Sequence, residues 1–131
     1  MFGYGTPIGS HWSPSTPYYV DLTGKFAYNP ERAKALLAKA GYPDGFEATI
    51  KLPAIYSYSK RAGEVIADML GKVGVKLKIE IVEWGQWIER IFKNKEYQLT
   101  IIGHSEAWDI GIYANPNYYF QYDSQPFRDA Y

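Results

Sequence analysis

The residue types best suited to chemistry lie in one short stretch, His104-Ser-Glu-Ala-Trp-Asp109. His104 and Glu106 are both metal-ligand types, but two ligands are too few to define a metal site. Ser105, His104 and Asp109 are the residue types of a catalytic triad, yet the sequence around Ser105 lacks the nucleophile-elbow motif. A small α/β enzyme that uses His104 and Glu106 is therefore the weaker functional alternative, and no cofactor is expected.

Aromatic side chains follow each of three predicted strands: Tyr56 after the first, Trp84 after the second and Trp108 after the third. Ligands of open parallel α/β sheets bind outside the carboxyl ends of the strands. These rings would therefore form apolar platforms on one wall of a cleft. Glu106 and Asp109 would supply negative charge suited to an ammonium group or to sugar hydroxyls. The structural alternative is that Trp84 covers the sheet end, Glu106 caps a turn and Asp109 organises its loop.

Helices and strands alternate along the sequence that must position these residues. Asn29 is a good N-cap, Pro30 suits the first helical position, and Gly41 marks the end of the first helix. Alternation of this kind predicts an α/β fold with a mostly parallel β-sheet flanked by helices. The periodicity predicts helices near 30–40, 59–73, 86–94 and 126–131, and strands near 47–52, 75–82 and 98–103.

The whole chain, 1–131, is expected to be a single partial domain. Residues 1–28 carry many Gly and Pro residues without a clear period, which predicts an irregular segment wrapping a larger body. Trp12, Tyr18 and Phe26 in this segment favour packing over disorder. Residues 29–131 are predicted to form the α/β core.

Composition excludes several classes of function. The 131 residues carry 14 basic and 14 acidic side chains, so no net positive field exists to hold nucleic acid. The sequence contains no cysteine, which excludes disulfides and thiolate chemistry, and no apolar run is long enough to span a membrane. Aromatic residues make up 18% of the chain, a surplus that suits a ligand-lining surface.

Four stretches resemble the peptide, oligopeptide and nickel-type solute-binding proteins of ABC importers, known as solute-binding protein family 5. The most specific is Tyr28-Asn-Pro-Glu-Arg-Ala-Lys-Ala-Leu-Leu-Ala-Lys-Ala-Gly-Tyr-Pro-Asp-Gly-Phe46. It is followed in the family's order by the segment from Gly74 to Arg90 with its Glu-Trp motif, by Tyr97-Gln-Leu-Thr-Ile-Ile-Gly-His104, and by Tyr122-Asp-Ser-Gln-Pro-Phe127. Together they cover nearly the whole chain.

The resemblance implies a periplasmic-binding-protein-like class II lobe, here a fragment of the C-terminal lobe, and a receptor without catalysis. In the family, the tryptophan of the Glu-Trp motif lines the ligand cavity, which assigns that role to Trp84. An acidic residue after the following strand binds the ligand's amino group, and Glu106 is the nearest match. Tyr56, His104, Trp108 and Asp109 complete the candidate ligand-binding set. A member that binds oligosaccharides instead of peptides is the alternative.

The resemblance also implies partners and a location. The partners are a peptide or oligosaccharide ligand, the remaining lobe of the parent protein and an ABC permease in the membrane. The parent is expected to be periplasmic or extracytoplasmic, although these 131 residues contain no signal peptide. Because a single lobe supplies half a cleft, weak or undetectable ligand binding is predicted. Apolar surface left uncovered would favour self-association or strand exchange.

Overall fold

The computed structural model describes residues 4–104 and 109–131. Its helices are α1 (Pro30–Lys39), α2 (Ser57–Gly71), the single turn α3 (Trp84–Gln86) and α4 (Gln125–Ala130). Its strands are β1 (Phe46–Pro53), β2 (Val75–Val82) and β3 (Leu99–Thr100). A π-helix, Trp87–Lys93, continues α3, and a 3₁₀-helix covers Asp109–Ala114. None of the helices in these described ranges is long and apolar enough to cross a membrane.

The three strands form one parallel sheet in the order β2-β1-β3. β1 pairs with β2 along its whole length, from Phe46 opposite Val75 to Pro53 opposite Val82. β3 pairs with β1 on the other side over two residues. Because all three strands run the same way, their carboxyl ends share one edge of the sheet. The predicted α/β class, with a mostly parallel sheet flanked by helices, is confirmed.

Local chemistry explains where α1 begins and ends. The side chain of Asn29 accepts a hydrogen bond from the Arg32 amide at 2.8 Å, which satisfies one of the free donors at the helix start. Pro30 occupies the first turn, where its missing N–H costs nothing. After the helix, Gly41 adopts a φ of 93°, a left-handed conformation that glycine reaches without steric penalty. The predicted boundaries of this helix are confirmed to within a residue.

A pair of glycines brings the start of β1 against the start of β2. Gly45 and Gly74 have φ values of 77° and 95°, and each immediately precedes a strand. A Cβ atom on Gly45 would overlap the carbonyl oxygen of Gly74. The close approach of the two backbones thus requires glycine, and it sets the register in which Phe46 faces Val75.

α2 packs tightly against β1 of the sheet. Leu52 of β1 is fully buried, and Gly63 of α2 is buried over it. A Cβ atom on Gly63 would approach Cδ1 of Leu52 to 2.5 Å. The absence of a side chain at Gly63 therefore lets the helix sit close to the sheet.

A buried hydrophobic cluster lies beside the carboxyl end of β2. Val82, Trp87, Ile91 and Tyr119 are each at most 5% exposed and pack together. The indole N–H of Trp87 donates to the hydroxyl oxygen of Thr100 at 3.1 Å, which links the cluster to β3. Trp87 is therefore a core residue.

The outer side of α1 and α2 is largely uncovered in this chain. Four large apolar side chains of the two helices are substantially exposed: Leu36, Val65, Ile66 and Met69. Two of them, Ile66 and Met69, line an open apolar groove between the helices together with Tyr28 and Leu70. The helical stripe predicted for α2 exists, but only part of it is buried within the chain.

One expectation from the sequence needs correction. The predicted strand at 98–103 is only Leu99–Thr100, and Leu99 is 40% exposed, because β3 pairs with one neighbour and leaves the sheet early. The segment before α1 contains no helix or strand from residue 4 onward. In this segment Tyr18 and Phe26 are 63% and 86% exposed and Trp12 is half-buried, and the wrapping role expected for residues 1–28 stays a prediction.

Candidate functional site

The turn between β1 and α2 positions Tyr56 at the carboxyl edge of the sheet. Hydrogen bonding continues one residue past β1, because the Ala54 amide donates to the Val82 carbonyl at 2.8 Å. Ser59 is fully buried and donates through its hydroxyl to the carbonyl oxygen of Tyr56 at 2.7 Å. A buried hydroxyl must be hydrogen-bonded, and this bond fixes the first turn of α2. Tyr56, the N-cap residue of α2, is thereby held in place by its backbone.

Tyr56 and Trp84 meet edge to face. Their ring centroids are 5.8 Å apart and the ring planes are 82° apart, a favourable geometry for aromatic pairs. Trp84 also stacks on the buried ring of Trp87, at 5.2 Å and with only 7° between the planes. Tyr56 and Trp84 are themselves half-buried, so each presents part of its surface to solvent. We call this pair the aromatic corner.

Tyr58 connects the aromatic corner to the segment that follows β3. Its ring lies 5.3 Å from that of Tyr56, and its hydroxyl oxygen accepts a hydrogen bond from the Gly103 amide at 2.9 Å. The loops that follow β1 and β3 are therefore joined through this side chain. Tyr58 is absent from the set of site residues predicted from the sequence, although its position two residues after Tyr56 was a usable signal.

His104 is held by Tyr119. The two rings stack at 5.8 Å with 18° between their planes, and Nε2 of His104 lies 2.7 Å from the Tyr119 hydroxyl. Tyr119 in turn contacts Trp87 edge to face at 5.7 Å. His104 is thus connected with the aromatic corner through a chain of ring contacts. Tyr119 lies 15 residues further along the chain, and no local pattern indicated this partnership.

Asp109 faces the N-terminal segment. Its carboxylate oxygen lies 2.6 Å from Nε2 of His11, and both side chains are mostly buried. The His11 ring contacts Tyr113 edge to face at 5.4 Å. Burial, assisted by the charge of Asp109, raises the pKa of the Tyr113 phenol above its ordinary value. Asp109 therefore binds a residue 98 positions away in sequence. This contact agrees with the alternative in which Asp109 organises its loop instead of contacting a ligand.

Two of the predicted site residues, Glu106 and Trp108, lie outside the described residues. Of the remaining four, Tyr56 and Trp84 are in direct contact, and His104 is joined to them through intervening aromatic rings. Asp109 contacts a different neighbourhood. Within residues 4–104 and 109–131, no three His, Asp or Glu side chains are grouped closely enough to hold a metal ion.

The arrangement is suited to recognition by contact. Half-buried aromatic rings offer apolar area with little conformational entropy to lose, and tyrosine adds a hydroxyl for hydrogen bonding. Binding sites are usually mostly apolar surfaces with a few placed polar groups. The aromatic corner and the Tyr58 hydroxyl have this composition at the edge where parallel sheets bind ligands.

Comparison with known proteins places the chain in a family. Residues 1–128 match the model of the bacterial extracellular solute-binding proteins, family 5 Middle. This chain belongs to that family. The resemblance predicted from the sequence is thereby confirmed, and the assignment to the C-terminal lobe remains a prediction.

Several members are similar over most of this chain. The di/tripeptide-binding protein 1 of Pseudomonas aeruginosa is 38% identical over 104 residues, which cover 75% of this chain and 19% of the relative. The dipeptide-binding protein of Escherichia coli is 37% identical over 105 residues, covering 77% of this chain and 19% of the relative. This chain therefore spans about a fifth of the length of these relatives.

A solved structure supports the fold assignment. The periplasmic binding protein AgaA from A. tumefacien R10, in complex with agropinic acid, aligns with a TM-score of 0.69 and 34% identity. The alignment covers 78% of this chain and 21% of that one. The predicted periplasmic-binding-protein-like fold is thus confirmed for this part of the chain.

Proposed function

We propose that this chain forms part of the ligand-binding wall of an extracytoplasmic solute-binding protein that captures peptide-like ligands for an ABC importer. The observation that carries the proposal is the aromatic corner, where Tyr56 and Trp84 meet at the carboxyl edge of the sheet. Binding would use aromatic surface and a carboxylate, without covalent chemistry.

The relatives support the peptide class of ligand. Two of the similar proteins are named for binding dipeptides or tripeptides. These names favour peptides over the oligosaccharide alternative, although aromatic platforms suit both classes of ligand. The presence of AgaA with agropinic acid among the similar structures supports small polar solutes as the broader class.

The remaining partners follow from family membership and the length of the chain. The relatives are about five times longer than the matched segment, so we propose that further chain of the parent protein supplies the opposite wall and covers the exposed sides of α1 and α2. An ABC permease would receive the ligand. Self-association through the uncovered apolar residues stays a prediction, to be checked by light scattering at high protein concentration, where a clean monomer would contradict it.

A titration followed by nuclear magnetic resonance tests the proposal on this chain. The chain has four tryptophans, so the indole N–H signals report on individual rings. A dipeptide should shift the Trp84 signal, with an affinity of roughly millimolar because one wall buries only part of the ligand. A disaccharide should have a smaller effect. Absence of a Trp84 response to dipeptides in both this chain and the full-length parent protein would refute the proposed site.

A matched pair of variants separates the site from general surface effects. Tyr56→Leu removes one ring of the aromatic corner and should weaken the dipeptide response. Tyr42→Leu is the control, because Tyr42 also packs on an aromatic neighbour, Phe46, at 5.2 Å, but at the amino end of β1. Equal losses of affinity in both variants would count against the aromatic corner as the binding surface.

The role of Glu106 rests on the family resemblance and needs its own test. If Glu106 receives the ligand's ammonium group, Glu106→Gln should weaken binding of a dipeptide much more than binding of the same dipeptide with an acetylated amino terminus. A hydrogen bond to a charged group contributes about 1.5–3 kcal/mol. Equal affinity of the variant and the natural chain for the free dipeptide would remove Glu106 from the site.

A further inference from the structure

Tyr58 contacts both the aromatic corner and the backbone after β3, and membership of the family does not by itself explain this placement. Its ring contacts Tyr56 at 5.3 Å, and its hydroxyl oxygen accepts the Gly103 N–H at 2.9 Å. It is 48% exposed, so about half of its surface remains accessible to solvent. One side chain therefore joins the first turn of α2 to the backbone just after β3.

The segment after β3 lies outside the paired part of the sheet. β3 pairs with β1 at only two positions and ends at Thr100, and residues 101–104 have no regular secondary structure. A sheet ladder therefore does not determine the direction in which the chain leaves the sheet at Gly103. The hydrogen bond from Gly103 to Tyr58, and the contact of His104 with Tyr119, act on two adjacent residues at this point.

The fit between Tyr58 and Gly103 is close. A Cβ atom on Gly103 would lie 3.1 Å from the Tyr58 hydroxyl oxygen, nearer than most side-chain contacts allow. The space at Gly103 is thus occupied by the phenol that binds its amide. A methyl group at position 103 would therefore require the Tyr58 hydroxyl to shift by a few tenths of an ångström, and the φ of Gly103, which is not in the left-handed region, adds no further strain.

We infer that Tyr58 is a positioning residue of the ligand wall: its hydroxyl sets the backbone after β3 at a fixed place relative to the aromatic corner. This inference rests on the proposed function, because it names how the edge of that site is held. The ligand it serves is the peptide class proposed above, whose polar groups require donors and acceptors at fixed distances from the apolar platforms.

Tyr58→Phe is the central test, because it removes only the hydroxyl and keeps the ring against Tyr56. The Gly103 amide should exchange with solvent roughly two- to tenfold faster, and dipeptide affinity should fall by a similar factor, as expected for one hydrogen bond. Tyr42→Phe is the control and should change neither quantity. A role confined to stability would lower the melting temperature and leave the affinity of the folded chain unchanged.

A second variant, Gly103→Ala, tests the same contact by changing the other residue. Gly103→Ala should weaken dipeptide binding in the natural background, because its methyl group displaces the Tyr58 hydroxyl. In the Tyr58→Phe background the same change should have little further effect, since the oxygen that the methyl would meet is gone. This non-additivity is the signature of a direct pair. Independent, additive losses would overturn the inference.

The outcomes also separate this inference from the function on which it rests. If neither this chain nor its full-length parent gives a Trp84 response to dipeptides, the proposed function fails. The exchange rate of the Gly103 amide in Tyr58→Phe still shows whether the hydrogen bond from Gly103 to Tyr58 protects that amide. If the natural chain responds and Tyr58→Phe binds dipeptide equally well, the positioning role is wrong while the proposed function stands.

Discussion

Replacement of Gly45 by alanine tests the close approach of the two strand starts. The substitution places a side chain at a φ of 77°, which costs about 1–2 kcal/mol for an L-residue. Its Cβ atom would also overlap the Gly74 carbonyl oxygen, so the backbones must move apart, at a further cost of about 1–3 kcal/mol. The expected loss in the free energy of unfolding is about 3 kcal/mol, a large part of the stability of a small domain.

Two other glycines provide matched controls for this prediction. Gly41 has a similar φ of 93°, but a Cβ atom there would meet no atom within 4 Å, so Gly41→Ala should cost only the conformational part, about 1 kcal/mol. Gly71, the last residue of α2, also has open space, and Gly71→Ala should stabilise the chain by roughly 0.5 kcal/mol through helix propensity. The difference in unfolding free energy between Gly45→Ala and these controls gives the cost of the overlap with the Gly74 backbone.

Urea unfolding monitored by circular dichroism supplies the measurement. The midpoint should fall in Gly45→Ala while the dependence on urea concentration stays that of the natural chain, which identifies a change in stability. The reasoning is wrong if Gly45→Ala and Gly41→Ala lose the same free energy, because the overlap with Gly74 would then have no energetic consequence.

Three further predictions follow from packing and charge. Gly63→Ala should destabilise the chain by about 1–2 kcal/mol in thermal unfolding, because its methyl group overlaps fully buried Leu52. Adding Leu52→Val should restore part of the lost stability. A Gly63→Ala variant more stable than the natural chain would contradict this prediction. His11→Ala should loosen the N-terminal segment from Asp109, which limited proteolysis would detect as faster cleavage before residue 29. Unchanged cleavage would argue against the contact between His11 and Asp109 as the attachment of this segment. The pKa of Tyr113 is raised in the fold, so the free energy of unfolding should fall as the pH rises from about 10 toward that higher pKa. Tyr113→Phe should reduce this fall in unfolding curves measured at alkaline pH. Identical curves for the variant and the natural chain would show that Tyr113 does not contribute.

Elements with strong local signals were predictable from the sequence. α1 has a capping asparagine, a first-turn proline and a terminal glycine, and its bounds agree with the prediction. β2 was recognisable from its alternation and runs over the predicted range, Val75–Val82. β3 was predicted too long, because a short apolar run such as Leu99 to Ile102 does not distinguish a paired strand from an extended segment.

The site was predictable only as far as the topology determines it. The rule that parallel strands end at one edge brought Tyr56 and Trp84 together correctly. The partners of His104 and Asp109 depend on side-chain contacts with Tyr119 and His11, which lie 15 and 98 residues away in sequence. Contacts of this range leave no periodic or compositional trace, so they appear only in the three-dimensional structure.

The parallel stack of Trp84 on Trp87 has an optical consequence. Two indoles with centroids 5.2 Å apart and planes within 7° are close enough for their electronic transitions to couple. The ultraviolet circular dichroism of the chain should therefore contain a paired band whose intensity depends on the angle between these rings. Any event that turns the outer indole against the buried one would alter this band, which makes it an intrinsic, label-free readout of the relative orientation of Trp84 and Trp87.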